Sequence, residues 1–66
     1  MTIEQITDYL RKIQKDKDDD EVAHSLEDEL YFLFIESIAN GDISNLQEKA
    51  KLVLRTKELT FARWCA

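Results

Sequence analysis

Apolar residues in the first part of the chain recur at the spacing of an α-helix. Intervals of three and four residues place them on one helical face. These residues are Ile3, Ile6, Leu10 and Ile13. Thr2, with Gln5 three residues later, matches the capping box that begins such a helix, and basic residues in the last turn suit the helix dipole. The pattern predicts a first helix over residues 3–15.

The longest predicted helix covers residues 20–39, and its C-terminal half is apolar on nearly every side. Asp19 or Asp20 is suited to cap its start, and Gly41 is suited to the left-handed residue that ends it. One face carries Leu26, Leu30, Leu33 and Ser37, with Ala23 and Phe34 beside it. The remaining apolar residues are Tyr31, Ile35 and Ile38 on a second face, and Phe32 beyond it. Because a helix of this kind is buried on more than one side, we expect it to lie between the other two helices.

A third helix is predicted over residues 45–57. Ser44, with Gln47 three residues later, indicates a second capping box. Its apolar stripe consists of Leu46, Ala50, Val53 and Leu54. The basic residues expected to point mostly outward are Lys49, Lys51, Arg55 and Lys57. The short last segment contains Phe61 and Trp64, which are apolar enough that we expect them to pack against the bundle.

The composition favours an all-α fold. The chain is 44% apolar and 35% charged, and it has no proline and one glycine, whereas β proteins need frequent turn residues. We therefore predict a single domain over residues 1–66, a small antiparallel three-helix bundle with a short C-terminal helical turn or docked tail. A core of this size supplies only about 3–5 kcal/mol. The single cysteine, Cys65, excludes an internal disulfide.

Features of the sequence that bear on location predict a cytoplasmic protein without a membrane role. The N-terminal residues lack the basic stretch followed by an apolar one that marks a signal peptide. The longest apolar run, from Leu30 to Ile35, is much shorter than the roughly 20 residues that cross a bilayer. A lone thiol also fits a reducing compartment.

The acidic segment after the first helix has the spacing of a calcium-binding loop. Asp16, Asp18 and Asp20 fall at loop positions 1, 3 and 5, and Glu27 falls at position 12. Glu21, however, stands at the sixth position, where glycine normally makes the sharp turn. We therefore interpret the segment as a solvated acidic linker that also caps a helix.

His24 offers a weaker metal-binding pattern. Glu27 and Asp28 lie about one helical turn after it, and Asp20 lies one turn before it. Zinc needs at least three protein ligands with ordered partners around them, and a lone histidine on a helix is more often a surface or packing residue. We predict no metal and no cofactor, and keep a metal-responsive helical protein as a minor alternative.

Catalysis and nucleic-acid binding have little support in the sequence. Cys65 lies beside the last residue, where no scaffold holds a base next to it, and so short a chain does not enclose a substrate cleft. We therefore expect neither an enzyme nor a small-molecule substrate. The basic residues of the third helix and tail, Arg63 among them, would contact phosphates, but the net charge of −5 disfavours a duplex.

Three stretches resemble short proteins of tailed phages and prophages. They are the helix segment Ala23–Tyr31, the stop Ala39-Asn40-Gly41, and the ending Phe61-Ala62-Arg63-Trp64-Cys65. The resemblance covers most of the chain and carries no active site. It implies a bacterial cytoplasm and a small accessory protein that binds a host factor.

The aromatic and aliphatic surplus of the second helix is the feature that points most directly to a role. Two narrow stripes on the other helices cannot cover all of it, and uncovered apolar surface marks interfaces. The interface candidates are Tyr31, Phe32, Ile35, Ile38 and Trp64. We predict a protein-interaction module, with the acidic segment steering a basic partner. The alternative is a structural homodimer with no separate ligand.

Overall fold

The structure, a computed structural model, describes residues 1–59. It contains three α-helices, α1 (Ile3–Lys15), α2 (Asp20–Ala39) and α3 (Leu46–Val53), and a 3₁₀ helix, η1 (Leu54–Glu58), that continues α3. No strand occurs among these residues. The predicted all-α bundle and its three helices are confirmed, except that the third helix changes from α to 3₁₀ geometry after Val53. The expected packing of Phe61 and Trp64 lies outside the described residues.

The first two helices begin at the caps that the sequence predicts. The Thr2 hydroxyl accepts from the Gln5 backbone N–H at 3.1 Å, and the Gln5 side chain accepts from the Thr2 N–H at 2.8 Å. Asp19 caps α2, because its carboxylate accepts from the Val22 N–H at 3.2 Å. These bonds satisfy donors that a helix start leaves open, so the two boundaries follow from short-range sequence alone.

Gly41 ends α2 in the left-handed conformation, with φ of 95°. Its N–H donates to the Ile38 carbonyl at 2.9 Å, and the Asp42 N–H donates to the Ser37 carbonyl at 3.0 Å. This pair of bonds is a Schellman motif, and it turns the chain so that Asp42 lies back against the last turn of α2.

The predicted capping box of α3 is wrong. Asn45, with φ of 50°, is the N-cap residue, and it makes no side-chain cap hydrogen bond. The Ser44 hydroxyl instead donates to the Asp42 carboxylate at 2.9 Å. A hydrogen bond from the Ser44 hydroxyl to a charged carboxylate is stronger than a cap bond between that hydroxyl and a backbone N–H. Ser44 therefore binds Asp42 and does not cap α3.

The centre of the bundle is α1, not α2 as the sequence analysis expected. α1 packs against α2, α3 and η1, while α2 and α3 approach one another much less closely. The buried apolar core consists of Ile6, Ile13, Ala23, Leu30 and Val53. α1 contacts the inner faces of both neighbours, and within residues 1–59 no helix covers the opposite side of α2.

Candidate interaction surface

Two large apolar side chains project from the outer side of α2. Phe32 is 63% exposed and Ile35 is 64% exposed, whereas Leu30 on the inner side is fully buried. Phe32 and Ile35 lie three residues apart and are therefore neighbours on one helical face. We call this pair the α2 ridge. Large side chains this exposed and adjacent leave a patch of the kind that marks binding surfaces.

A cleft of about 320 Å³ lies beside the α2 ridge, between α2 and the α3–η1 segment. Its lining residues are Tyr31, Phe34, Ile35, Ala50, Val53 and Leu54. Apart from the tyrosine, all of these side chains are apolar. Two larger grooves on other sides are lined partly by charged groups, Glu36 and Asp42 in one and Arg11, Lys15, Arg55 and Glu58 in the other. Of these three grooves, all lined by residues within 1–59, the α2–α3 cleft is the one best suited to apolar side chains.

A side-chain hydrogen bond joins the two walls of the cleft. The Tyr31 hydroxyl and the Thr56 hydroxyl are 2.6 Å apart, and Thr56 is fully buried. This bond ties α2 to η1, although the backbones of α2 and α3 stay well separated. This contact sets the distance between the two walls, and the cleft is present without a ligand.

The sequence-predicted interface residues have different positions in the structure. Phe32 and Ile35 form the exposed ridge, while Tyr31 and Ile38 are half-buried. Trp64 lies outside the described residues. Leu54, which the sequence analysis placed in the core stripe of α3, is 54% exposed at the rim of the cleft.

The sequence contains a sign that Leu54 is exposed, although the predicted apolar stripe of the third helix included this residue. Leu52, Val53 and Leu54 are consecutive, and three consecutive helical positions point in directions too far apart for one neighbour to cover. Val53 takes the buried position. The change to 3₁₀ geometry at Leu54 then breaks the period on which the prediction rested.

The exposed apolar side chains on the two sides of the cleft have charged neighbours of opposite sign along their helices. α2 contains six carboxylates and no lysine or arginine, and exposed Asp28 and Glu36 each lie four residues from Phe32. On the other edge, exposed Lys51 and Lys57 each lie three residues from Leu54. Phe32 is thus flanked along α2 by two carboxylates, and Leu54 is flanked by two ammonium groups. The carboxylate of Glu58, four residues after Leu54, pairs with Arg55.

A second cluster, which the sequence analysis did not predict, surrounds Asp42 at the end of α2. The α-ammonium of Met1 donates to the Asp42 carboxylate at 2.9 Å and to the Ser37 hydroxyl at 2.7 Å. The Lys49 ammonium lies 3.4 Å from both Asp42 oxygens and 3.2 Å from the Ser44 hydroxyl. The hydrogen bond from the α-ammonium, then those from Ser44 and Ser37, and that from Lys49, hold the pKa of Asp42 far below its usual range.

The Asp42 cluster changes the interpretation of the basic residues. Lys49, expected to point outward, is only 5% exposed because its ammonium joins Asp42. Arg55 pairs with Glu58 at 3.5 Å. Among the described basic residues of this segment, Lys51 and Lys57 keep exposed positions outside such pairs.

The acidic linker and His24 are not gathered into a metal site within residues 1–59. No three side chains of His, Cys, Asp or Glu in this range lie close enough together to hold a metal ion. His24 Nε2 lies 3.6 Å from the Asp28 carboxylate oxygen Oδ1. Asp19 caps α2, and Glu21 lies in the first turn of that helix rather than in a loop.

We expect calcium at millimolar concentration to leave the melting temperature unchanged. Glu21 is helical at the position where a calcium loop must turn sharply, so forming the loop would unwind the start of α2. Thermal unfolding followed by circular dichroism, with magnesium as the control for ionic strength, tests this. A saturable stabilisation by calcium that disappears in Asp16→Ala would contradict it.

These features define a small all-α protein with an apolar cleft on its surface. No family model matches the chain, and no curated protein and no solved structure is significantly similar to it. Among residues 1–59, no helix is long and apolar enough to cross a membrane.

Proposed function

We propose that this protein is a protein-interaction module that binds an amphipathic helix at the α2 ridge and the α2–α3 cleft. Helix-in-groove binding uses apolar side chains at helical spacing that enter a groove of matching chemistry. The observation that carries the proposal is the exposure of Phe32 and Ile35 directly beside a cleft with an apolar lining. The role is one of binding and not of catalysis.

The fixed walls of the cleft support a binding role. The Tyr31–Thr56 hydrogen bond holds α2 and η1 in place, so little conformational entropy is lost when a ligand enters. Aromatic and large aliphatic side chains in a desolvated centre carry most of the affinity of protein interfaces. Phe32, Ile35 and Leu54 supply three such side chains within one face.

The charge of α2 adds a preference for the partner. Its five exposed carboxylates attract a partner with basic residues next to its apolar stripe, because complementary charge speeds association and suppresses wrong partners. We extend the proposal, on the resemblance given in the sequence analysis, to a phage or prophage accessory protein whose partner is a host factor.

We expect Ile35→Asp to abolish capture of the partner. The aspartate would place a charge in the centre of the apolar contact, where an unpaired charge is costly to desolvate. Affinity-tagged wild type and Ile35→Asp are each used to capture proteins from cells of the source organism, in parallel with an untagged copy of this chain. Bound proteins are then identified by mass spectrometry.

Val22→Asp is the matched control for this experiment. Val22 is also an exposed aliphatic residue of α2, but it does not line the cleft, and aspartate in the first turn suits the helix dipole. The proposal predicts that at least one protein is captured by wild type and by Val22→Asp but is not captured by Ile35→Asp. If every captured protein, including the untagged copy, binds Ile35→Asp equally well, the proposed function is wrong.

A further inference from the structure

We infer that the partner helix comes from a second copy of this chain, in a symmetric dimer where the α2 ridge of each copy packs against the α3–η1 edge of the other. The inference rests on the proposed function because it uses the same surface. A two-fold axis running along the cleft produces this arrangement, since it places each α2 over the partner's α3–η1 segment. A symmetric dimer requires a face that is complementary to itself.

The apolar parts of the surface meet that requirement. The same face carries a projecting part, Phe32 with Ile35, and a recessed part that leads to exposed Leu54. Ile35 belongs to both, because it is exposed on the ridge and also lines the cleft. Rotation about the cleft therefore brings Phe32 of one copy toward Leu54 of the other. The two-fold symmetry produces this contact at two places, so Phe32 and Leu54 of both copies are covered in the dimer.

The charges meet the same requirement. Asp28 and Glu36 flank Phe32, and Lys51 and Lys57 flank Leu54. When the Phe32 edge lies against the partner's Leu54 edge, two carboxylates face two ammonium groups at each of two equivalent places. Complementary charges of this kind fix register and select the partner.

The charge pattern also decides against the simplest alternative dimer. If α2 packed against the partner's α2, the carboxylates of Asp28 and Glu36 would lie next to carboxylates of the other copy, and α2 has no lysine or arginine to compensate them. Juxtaposed like charges at an interface are unfavourable. The acidic α2 therefore needs a basic surface opposite it, and the α3–η1 edge of this chain supplies one.

Sedimentation of the wild-type chain over a wide range of concentration gives the first test. We expect a reversible shift to twice the 7.8 kDa mass of one chain, with a dissociation constant that rises with salt because the flanking charges are exposed. Leu54→Asp should leave only monomer and should keep the helical circular dichroism of wild type, since Leu54 is outside the core.

A charge exchange then tests the arrangement itself. One variant carries Asp28→Lys with Glu36→Lys, and a second carries Lys51→Glu with Lys57→Glu. Each variant alone should lose the dimer, because like charges then face one another at both contacts. Mixed in equal amounts, they should form a one-to-one heterodimer, because opposite charges meet again at both contacts. All four positions are exposed, so circular dichroism should show both variants folded.

Several results would overturn the inference. A wild-type chain that stays monomeric at every concentration rules out the second copy, while Ile35-dependent capture of a different protein would still support the proposed function. A dimer that persists in the Lys51→Glu, Lys57→Glu variant alone rules out the contact between α2 and α3–η1. A monomer whose Trp64 emission shifts to the red in Ile35→Asp identifies the chain's own C-terminal segment as the occupant.

Discussion

Leu30→Ala is expected to remove most of the stability of the protein. Leu30 is fully buried in the core that joins α1 to α2, and truncating a buried leucine costs about 2–5 kcal/mol through lost burial and the cavity left behind. A core in a chain this short supplies only about 3–5 kcal/mol in total. The substitution therefore consumes a large share of that stability, and a sizeable fraction of the variant should be unfolded at ambient temperature.

Urea unfolding followed by far-ultraviolet circular dichroism measures this effect, with linear extrapolation to water. Val22→Ala is the control, because it also removes an aliphatic side chain from α2 but at an exposed position. Exposed substitutions of this type change stability by about 0.5 kcal/mol or less. Equal losses in the two variants would contradict the assignment of Leu30 to the core and of the opposite side of α2 to the surface.

Asp42→Asn is expected to cause a clear loss of stability, larger than that of a substitution at an exposed surface ion pair. It removes the carboxylate that lies between the Met1 α-ammonium and the Lys49 ammonium. The Lys49 side chain is almost completely buried, so the substitution leaves two neighbouring ammonium groups without the carboxylate that compensates both. A buried charge that loses its partner is strongly unfavourable.

The pH dependence of this loss follows from the lowered pKa of Asp42. Because the pKa is lower in the folded than in the unfolded chain, where it is near 3.8, the carboxylate stabilises the fold fully above the unfolded value. Its contribution falls as the pH decreases from about 4 toward the folded pKa. The difference in unfolding free energy between wild type and Asp42→Asn should be constant between about pH 5 and 7 and should shrink in stronger acid.

Asp8→Asn is the control for the Asp42 experiment. Asp8 pairs with Arg11 at 3.0 Å, but both side chains are more than half exposed, and such surface pairs contribute little. Melting temperatures of the three proteins are compared from pH 2 to pH 7. A difference between wild type and Asp42→Asn that grows as the pH falls below 4 would show that the assigned direction of the pKa shift is wrong.

The packing of α1 explains both its central position and the exposure of the proposed binding surface. α1 contacts each of its neighbours through a single narrow stripe, so α2 and α3 lie side by side with a cleft between them. Had α2 been central, Phe32 and Ile35 would lie against another helix of the same chain. The surplus apolar residues of α2 therefore lie on the surface and not in the core.

The sequence by itself determined the helices and most of their boundaries. The periodic isoleucines of α1, the Thr2–Gln5 capping box, the Asp19 cap and the Gly41 stop all act within a few residues of chain. Such signals depend on backbone geometry and local hydrogen bonds, which are the same in any tertiary context. The sequence also indicated that α2 has more apolar surface than its neighbours can cover.

Only the tertiary structure decided which side of α2 stays open, how Lys49 is buried and why Ser44 does not cap α3. Judged from the local sequence, Lys49 is an exposed lysine on a helix, and Ser44 is a serine that caps the helix after it. Their actual positions depend on the Asp42 carboxylate and on the Met1 α-ammonium, which is 41 residues from Asp42 in sequence. Long-range pairing of charges and the choice among competing apolar faces are settled by the packing of the whole chain, because no local pattern specifies which partner each face will meet.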